Sequence, residues 1–250
     1  RNVLATGLVD CELPLEEMGQ AIADYVSTDA ARLLTSQASQ RTADDKDLMN
    51  VLEIVRAQLG LDFRGYKSAM LFRRINRRMN LTRMGSMARF AALLQEAPEE
   101  TRALAKDFLI SVTEFFREPD SWSALARDVL PDLLQGKGVG DSVRVWIPGC
   151  ATGEEAYSMG MVLLDCPQVQ DQRLKVQIFA TDIDDSALDH ARRGLFSQAI
   201  EKTVAPARLQ KFFVKSAEGY QVRKEVRDTV VFARQNVVND PPFSRMDIVS

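Results

Sequence analysis

Hydrophobic and polar positions change their rhythm along this chain. From Asp47 to about Leu134 apolar residues recur at intervals of three and four, the period of amphipathic helices, with breaks at Gly60, Gly85, Ala97-Pro98 and Glu118-Pro119. Beyond the glycine-rich stretch Gly136–Gly140 short apolar runs alternate with helical segments. Val143–Ile147 predicts a strand ending in Pro148-Gly149, and Glu154–Leu164 a helix. Val176–Ala180 predicts a second strand running into Asp182, and Ser186–Arg193 a second helix stopped by Gly194. Tyr220–Arg223, Val230–Phe232 and Asp247–Val249 read as further strands. Such alternation implies a parallel sheet with crossover helices. Ahead of both textures, a helix with Pro14 in its first turn runs to about Val26, and residues 27–46 read as a polar linker or an exposed helix. The predicted organisation is a helical domain over 47–135 and an α/β domain over 136–250.

Composition narrows the chemistry. The 250 residues carry 46% hydrophobic and 27% charged residues, enough apolar material for a sizeable core. No apolar run reaches the roughly 18 residues of a membrane span, so membrane insertion is not expected. The net charge of −3 argues against a general nucleic-acid binder. One histidine, His190, and three scattered cysteines, Cys11, Cys150 and Cys166, exclude zinc ribbons and histidine-rich metal sites, and no metal is expected. They form no disulfide framework, as in a reducing cytoplasm.

The charge is unevenly spread. Residues 64–89 hold eight Lys and Arg and no Asp or Glu, so this window is +8 and the remainder −11. Arg73, Arg74, Arg77 and Arg78 recur at helical spacing beside an apolar stripe of Leu71, Phe72, Ile75 and Met79. Charge runs are commonly solvated helix faces. Here no Glu partner stands at i,i+4 to relieve the repulsion, so an acidic partner is the alternative: nucleic acid, phospholipid or an acidic protein helix.

The turn between the first predicted strand and helix, Pro148-Gly149-Cys150-Ala151-Thr152-Gly153-Glu154-Glu155, is the candidate cofactor site. Backbone amides at a helix start bind polar groups, and Gly149 and Gly153 allow a tight turn and close approach. The pattern alone also fits a structural turn. Asp182, at the end of the next strand, strengthens it, because a carboxylate there can accept from ribose hydroxyls. Glu154 and Glu155 would repel a pyrophosphate, so a zwitterionic cofactor with a cationic centre, such as S-adenosylmethionine, suits the turn better. His190 lies in the last turn of its helix, where a cation is favoured, and reads as structural. Cys150 reads as a small filler. Asn239-Asp240-Pro241-Pro242-Phe243 is a rigid loop that either shapes a pocket or merely connects.

Several segments, in order, resemble the chemotaxis receptor methyltransferases, the CheR family. They are Arg73–Met79, Ser111–Arg117, Trp146–Ser158, Ala180–Asp184, Ala191–Phe196 and Phe232–Asn236. The resemblance covers about residues 47–250. It implies a small all-α domain followed by a Rossmann-like α/β domain that binds S-adenosylmethionine and releases S-adenosylhomocysteine. It implies that Ser111, Thr113 and Arg117 reach the cofactor from the interdomain linker, with Glu155 and Asp182 holding other parts of it. Asn236 and Val237 would flank the adenine, and Arg117 is the implied catalytic residue. The family often has Asn where Ser111 stands and Pro where Ala156 stands. Its pattern continues past the last strand with residues absent here, implying an α/β domain incomplete at its C-terminus.

The implied reaction is methyl transfer to glutamate side chains of a chemoreceptor's cytoplasmic helical domain, on which Arg73, Arg74, Arg77 and Arg78 would dock. The implied location is the cytoplasm. The loop Lys215–Gly219 looks short, which implies no grip on a receptor's C-terminal tether. Residues 4–26 resemble the tail of the chemotaxis methylesterases, the CheB family, through Ala5–Asp10, Leu13-Pro14 and Glu17-Met18. This implies that residues 1–26 are a remnant of an esterase-like domain fused upstream. A non-catalytic module binding S-adenosylmethionine or S-adenosylhomocysteine, and a small-molecule methyltransferase, stay open. A nicotinamide oxidoreductase would want a third glycine and fewer acids at the helix start.

Overall fold

The structure is a computed structural model that describes residues 38–109 and 112–250, with Met18, Gly19 and Ala23 besides. Side chains of residues 38–44 are outside the description. The predicted helix before Val26, the methylesterase-like segment, Cys11 and Ser111 lie outside the described residues. The chain forms two compact units that divide between Leu109 and Ile110.

In the first unit, α1 (Ala38–Leu59), α2 (Ser68–Leu81), α3 (Met87–Glu96) and α4 (Pro98–Phe108) enclose one apolar core. Of the stretch to residue 46 read as a polar linker or an exposed helix, the part from Ala38 is helical. Leu71, Ile75 and Met79 bury the predicted stripe of α2. They share the core with Val51, Val55, Leu94, Leu104 and Phe108. Ser86 caps α3, and Pro98 opens α4 from its first turn, where a missing N–H costs nothing. The arginines of α2 have uneven surroundings. Arg78 grips Glu100 of α4 at 2.8 Å from Nε, and Arg77 lies 3.7 Å from Asp107 of the same helix. The expected lack of acidic partners is thus corrected: they come from α4, far in sequence but adjacent in space. Arg73 is exposed and Arg74 half-buried, and neither makes an ion pair among the described residues.

The second unit begins earlier than the glycine-rich stretch suggests. The helix α5 (Pro119–Ala124), a widened π turn (Leu125–Val129) and α6 (Leu130–Leu134) follow one another. Phe115, Phe116, Leu130 and Leu134 are buried in the same core as the sheet. The boundary expected at residues 135/136 therefore falls at 109/110, ahead of α5, the π turn and α6, because burial and not glycine content decides where a unit ends.

The sheet is parallel, in the order β6-β2-β1-β7, from β1 (Ser142–Pro148), β2 (Lys175–Asp182), β6 (Val230–Arg234) and β7 (Ile248–Val249). Between β1 and β2 run α7 (Glu154–Asp165) and the short α8 (Pro167–Asp171). After β2 comes α9 (Asp185–Arg193), capped by Asp184, which accepts from the Ser186 and Ala187 amides, and ended by Gly194. Val143, Val145 and Ile147 of β1 and Ile178 and Ala180 of β2 meet the buried side of α7. Asp247 fixes β7 beside β1, accepting from the Arg144 amide at 2.8 Å and the Lys137 ammonium at 2.9 Å.

One part departs from the expected alternation. Residues 195–222 form a separate antiparallel sheet, β3-β5-β4, from β3 (Leu195–Phe196), β4 (Phe213–Ser216) and β5 (Gly219–Val222). The helix α10 (Pro206–Phe212) leads into it, and α11 (Lys224–Arg227) follows. Lys215–Gly219, read as a loop, is a tight hairpin turning at Ala217-Glu218. Glu201 stiffens it by accepting from Tyr220 Oη at 2.5 Å and Lys215 Nζ at 3.0 Å, which holds its carboxyl below the usual range.

Gly219 carries this hairpin. Its φ is +136°, and an added Cβ would lie 2.1 Å from the Phe196 carbonyl oxygen. Gly219→Ala should cost about 3 kcal/mol, whereas Glu218→Ala beside it should change stability by under about 0.5 kcal/mol. Urea midpoints of the two variants compare them directly, and equal midpoints would refute the register given for β5.

Candidate functional site

A topological switch point lies at the carboxyl end of β1. From β1 the chain proceeds to β2 and β6 on one side, while β7 pairs on the other. Crevices outside such points are where open α/β sheets bind ligands. Here the cleft, of about 470 Å³, falls within the range of about 300–1,000 Å³ typical of small-molecule and cofactor sites. Gly149, Ala151 and Glu155 of the glycine turn line it, with Met159 one turn along α7 and Ser250 after β7. The opposite wall comes from residues 112–125. Among the described residues the lining has one cation, Arg117, and three carboxylates, Glu114, Glu118 and Glu155. Glu155 accepts a hydrogen bond from the Ser250 hydroxyl.

The two glycines of the turn do different work. Gly149 has φ +72°, and a Cβ there would meet nothing within 4 Å, so its bare backbone faces open space in the cleft. Gly153 has φ +95°, and a Cβ there would lie 2.8 Å from the Ala191 Cβ. Gly153 therefore lets the start of α7 pack on α9, and it does not line the cleft. Ala151, between them, takes a left-handed φ of 47°. Asp182 holds that shape. Its Oδ2 accepts from the Ala151 amide at 2.8 Å and its Oδ1 from the Asp184 amide at 2.9 Å. Each carboxylate oxygen keeps room for a second donor.

Around the turn, groups that could act as acid, base or nucleophile are restrained. Burial and the negative charge of Asp182 push the Cys150 thiol up to about 12, so it stays neutral. Burial raises the Glu154 carboxyl, although Thr152 Oγ1 donates to it at 2.6 Å. His190 sits edge-on to Phe196, and burial with the neighbouring Arg193 lowers its pKa. Desolvation and a like charge thus outweigh the helix dipole at this helix end.

The wall bearing Arg117 is strained. Phe116 and Glu118 on either side of it have φ of 53° and 57°, each costing about 1–2 kcal/mol for an L-residue. Phe115 buries itself against Phe196 and Phe213. Phe116 is buried edge-on to Trp122, under the Arg208 guanidinium at 4.4 Å. Trp122, read from sequence as core, is half-buried and lines the cleft, as does Leu125. Glu114, Glu118 and Trp122 escaped the sequence reading. The spacing Ser121, Trp122, Leu125 in the first turns after Pro119 marks one helix face, and only the structure shows which way it points.

Comparison with known proteins finds matching descriptions for both units. Residues 111–250 match "CheR methyltransferase, SAM binding domain", and residues 46–109 match "CheR methyltransferase, all-alpha domain". The chain belongs to the CheR methyltransferase family. A relative in Vibrio cholerae, "Chemotaxis protein methyltransferase 2", is 30% identical over 212 residues, covering 82% of this chain and 73% of its own length. "Chemotaxis protein methyltransferase" of Salmonella typhimurium is 27% identical over 209 residues, 81% of this chain and 69% of that protein. An "Uncharacterized 104.1 kDa protein in hypE 3'region" of Rhodobacter capsulatus is 34% identical over 271 residues, spanning 100% of this chain. The chain spans only 28% of that relative's length.

S-adenosylmethionine is accordingly the cofactor of this CheR family member, and the fold is the expected all-α domain with a Rossmann-like α/β domain. Of the residues assigned to the cofactor from sequence, Thr113, Arg117, Gly149 and Glu155 line the cleft together. Asp182 stands behind it, bonded to Ala151. Asn236 and Val237 are not in the lining. They follow β6 in a tight turn, in which the Asn236 amide donates to Asp240 and its Oδ1 accepts from Val238. No helix among the described residues is long and apolar enough to cross a membrane.

The division of labour between the glycines is measurable. Gly149→Ala should keep the fold, losing about 1–2 kcal/mol to the left-handed φ, yet weaken S-adenosylhomocysteine binding about tenfold or more by filling the approach to the backbone. Gly153→Ala should instead lose about 3 kcal/mol of stability. Calorimetric titration and urea unfolding of both variants check the pair of outcomes.

Proposed function

We propose that this protein transfers the methyl group of S-adenosylmethionine to glutamate side chains of a chemoreceptor, forming methyl esters. The observation that carries the reading is the charge pattern of the switch-point cleft, with one guanidinium among three carboxylates. When bound, the cofactor supplies an electrophilic methyl group on a sulfonium. A ligand with two cationic centres and one carboxylate suits three acids and one base. Glu155 and its acidic neighbours would hold the cationic part, Asp182 the ribose, and Arg117 a carboxylate of the cofactor or of the incoming glutamate. Gly149 leaves the backbone open to the ligand, and Thr113 would add a hydroxyl. Ser111, Asn236 and Val237 remain assigned by resemblance. A glutamate is already ionised at neutral pH, so the reaction asks for no general base, and a His190 pKa lowered by burial and a neutral Cys150 thiol fit it. The work of the protein is then alignment of two reactants out of water, a proximity effect.

Receptor capture is proposed for α2. Arg77 and Arg78 face Asp107 and Glu100, so the charge left to meet an acidic helix is that of Arg73 and Arg74. The buried Nε of Arg74 has no acceptor of its own. Capture would use this face and no C-terminal tether. The receptor's helical domain implies a cytoplasmic site of action. We further propose, from the resemblance of Ala5–Asp10, Leu13-Pro14 and Glu17-Met18 alone, that residues 1–26 are the tail of an esterase-like domain.

Labelled-methyl transfer to receptor-enriched membranes, with the label released by base, tests the reaction. Binding of S-adenosylhomocysteine with no transfer would refute the catalytic reading. Arg73→Glu with Arg74→Glu should slow receptor methylation about tenfold or more while leaving S-adenosylhomocysteine affinity unchanged. Equal rates for this double variant and the wild type would remove α2 from receptor capture.

A further inference from the structure

Arg117 is the one cation among the described residues of the cleft lining, yet it sits on an unfavourable stretch of backbone, between left-handed Phe116 and Glu118. Two side chains bond the main chain beside it. The Phe116 amide donates to Ser158 Oγ at 3.1 Å, and Ser158 Oγ itself donates to the Glu154 carbonyl at 2.8 Å. The Arg117 carbonyl accepts from the Trp122 indole N–H at 2.9 Å. Ser158 is fully buried on α7 and does not line the cleft. The hydroxyl therefore ties the segment carrying Arg117 to the first turn of the helix that carries Glu155, so the cation and an opposing carboxylate share one frame. The ring of Phe116, held between Trp122 and Arg208, removes the remaining freedom of the turn.

We propose that Ser158 and Trp122 are positioning residues that clamp the strained turn so that the Arg117 guanidinium is held at the cleft before any ligand arrives. This rests on the reading of the cleft as the S-adenosylmethionine site. Residues held in sparsely populated backbone conformations persist when their surroundings over-determine them, and they concentrate at ligand sites. Here the surroundings are two side-chain hydrogen bonds to consecutive residues and a packed aromatic ring. Without the clamp the turn would relax, and a ligand would have to restore it on binding, which weakens affinity.

A double-mutant cycle separates this role from plain structural support. Ser158→Ala removes the hydroxyl, and Trp122→Phe removes the indole N–H while keeping a ring. Each is combined with Arg117→Ala, and calorimetry extends to millimolar S-adenosylhomocysteine. Each single clamp variant should weaken binding about three- to tenfold, the factor that corresponds to one lost hydrogen bond. In the Arg117→Ala background neither should add more than about a twofold loss. An equal further loss in that background would overturn the proposal, since the side chains would then support the fold and not the guanidinium. Unchanged affinity in both single clamp variants would overturn it too, as would wild-type affinity in Arg117→Ala alone. Failure of the wild-type protein to bind S-adenosylhomocysteine would instead overturn the reading of the cleft, and the clamp with it. Thermal unfolding of each variant identifies any affinity loss that merely follows unfolding.

Discussion

The Asp182 carboxylate is the constraint on which the site depends. It closes β2, and each of its oxygens accepts a backbone amide, one from Ala151 in the neighbouring glycine turn and one from Asp184. The first bond fixes Ala151 in its left-handed conformation, which aims the turn out of β1 and delivers Gly149 to the cleft. The second shapes the exit from β2 so that Asp184 can cap α9. Because α9 is so placed, Ala191 comes against Gly153, and only glycine fits there. One side chain thus sets both strand ends, both helix starts and the side of the sheet on which a ligand can lie.

The basic helix shows how contact order hides electrostatic balance. Read along the chain, residues 64–89 are a run of positive charge without relief. For α2 the relief is two residues of α4, two turns of helix apart on the face that packs toward α2. Arg78 and Glu100 are well shielded, with side chains 19% and 13% exposed, so their attraction is stronger than that of a surface pair. What reaches solvent as uncompensated charge is narrower than the sequence window.

The legible parts of this protein are those whose signal is local. The strand, turn and helix from Val143 to Leu164, the cap and stop of Ser186–Arg193, and the stripe of α2 each announce themselves within about a dozen residues. The parts that were not legible depend on distant partners. Glycines at 136–140 look like a boundary, but the unit begins at Ile110 because Phe115, Phe116 and Leu130 find their burial against the sheet. The hairpin after Phe213 has no turn dipeptide with glycine at its centre, and Gly219 is needed for a contact with Phe196 twenty-three residues earlier. The cleft follows the same rule. Gly149 was recognisable from its turn, and Glu155 and Arg117 by resemblance, whereas Trp122 reads as core until the helix bearing it is seen to lie along the opening. Asn236 and Val237 were assigned by likeness alone, and the hydrogen bonds of their own turn account for them locally.

Strain and inertness are distributed in this site in a way that suits a reaction without proton transfer. A catalytic base would need a pKa near neutrality; burial moves the Cys150 thiol and the His190 ring away from it, while Glu154, the one carboxyl among the described residues that it raises, does not line the cleft. Three of the six left-handed non-glycine residues among the described residues, by contrast, are Ala151 and Glu118 in the cleft lining and Phe116 beside it. An enzyme whose substrates already carry the right charges gains little from tuned acids and much from fixed distances. Rigidity at Arg117 is therefore where this fold would be expected to accept a local cost. The surrounding phenyl rings, the Ser158 hydroxyl and the Trp122 indole supply the opposing contacts that make that cost sustainable.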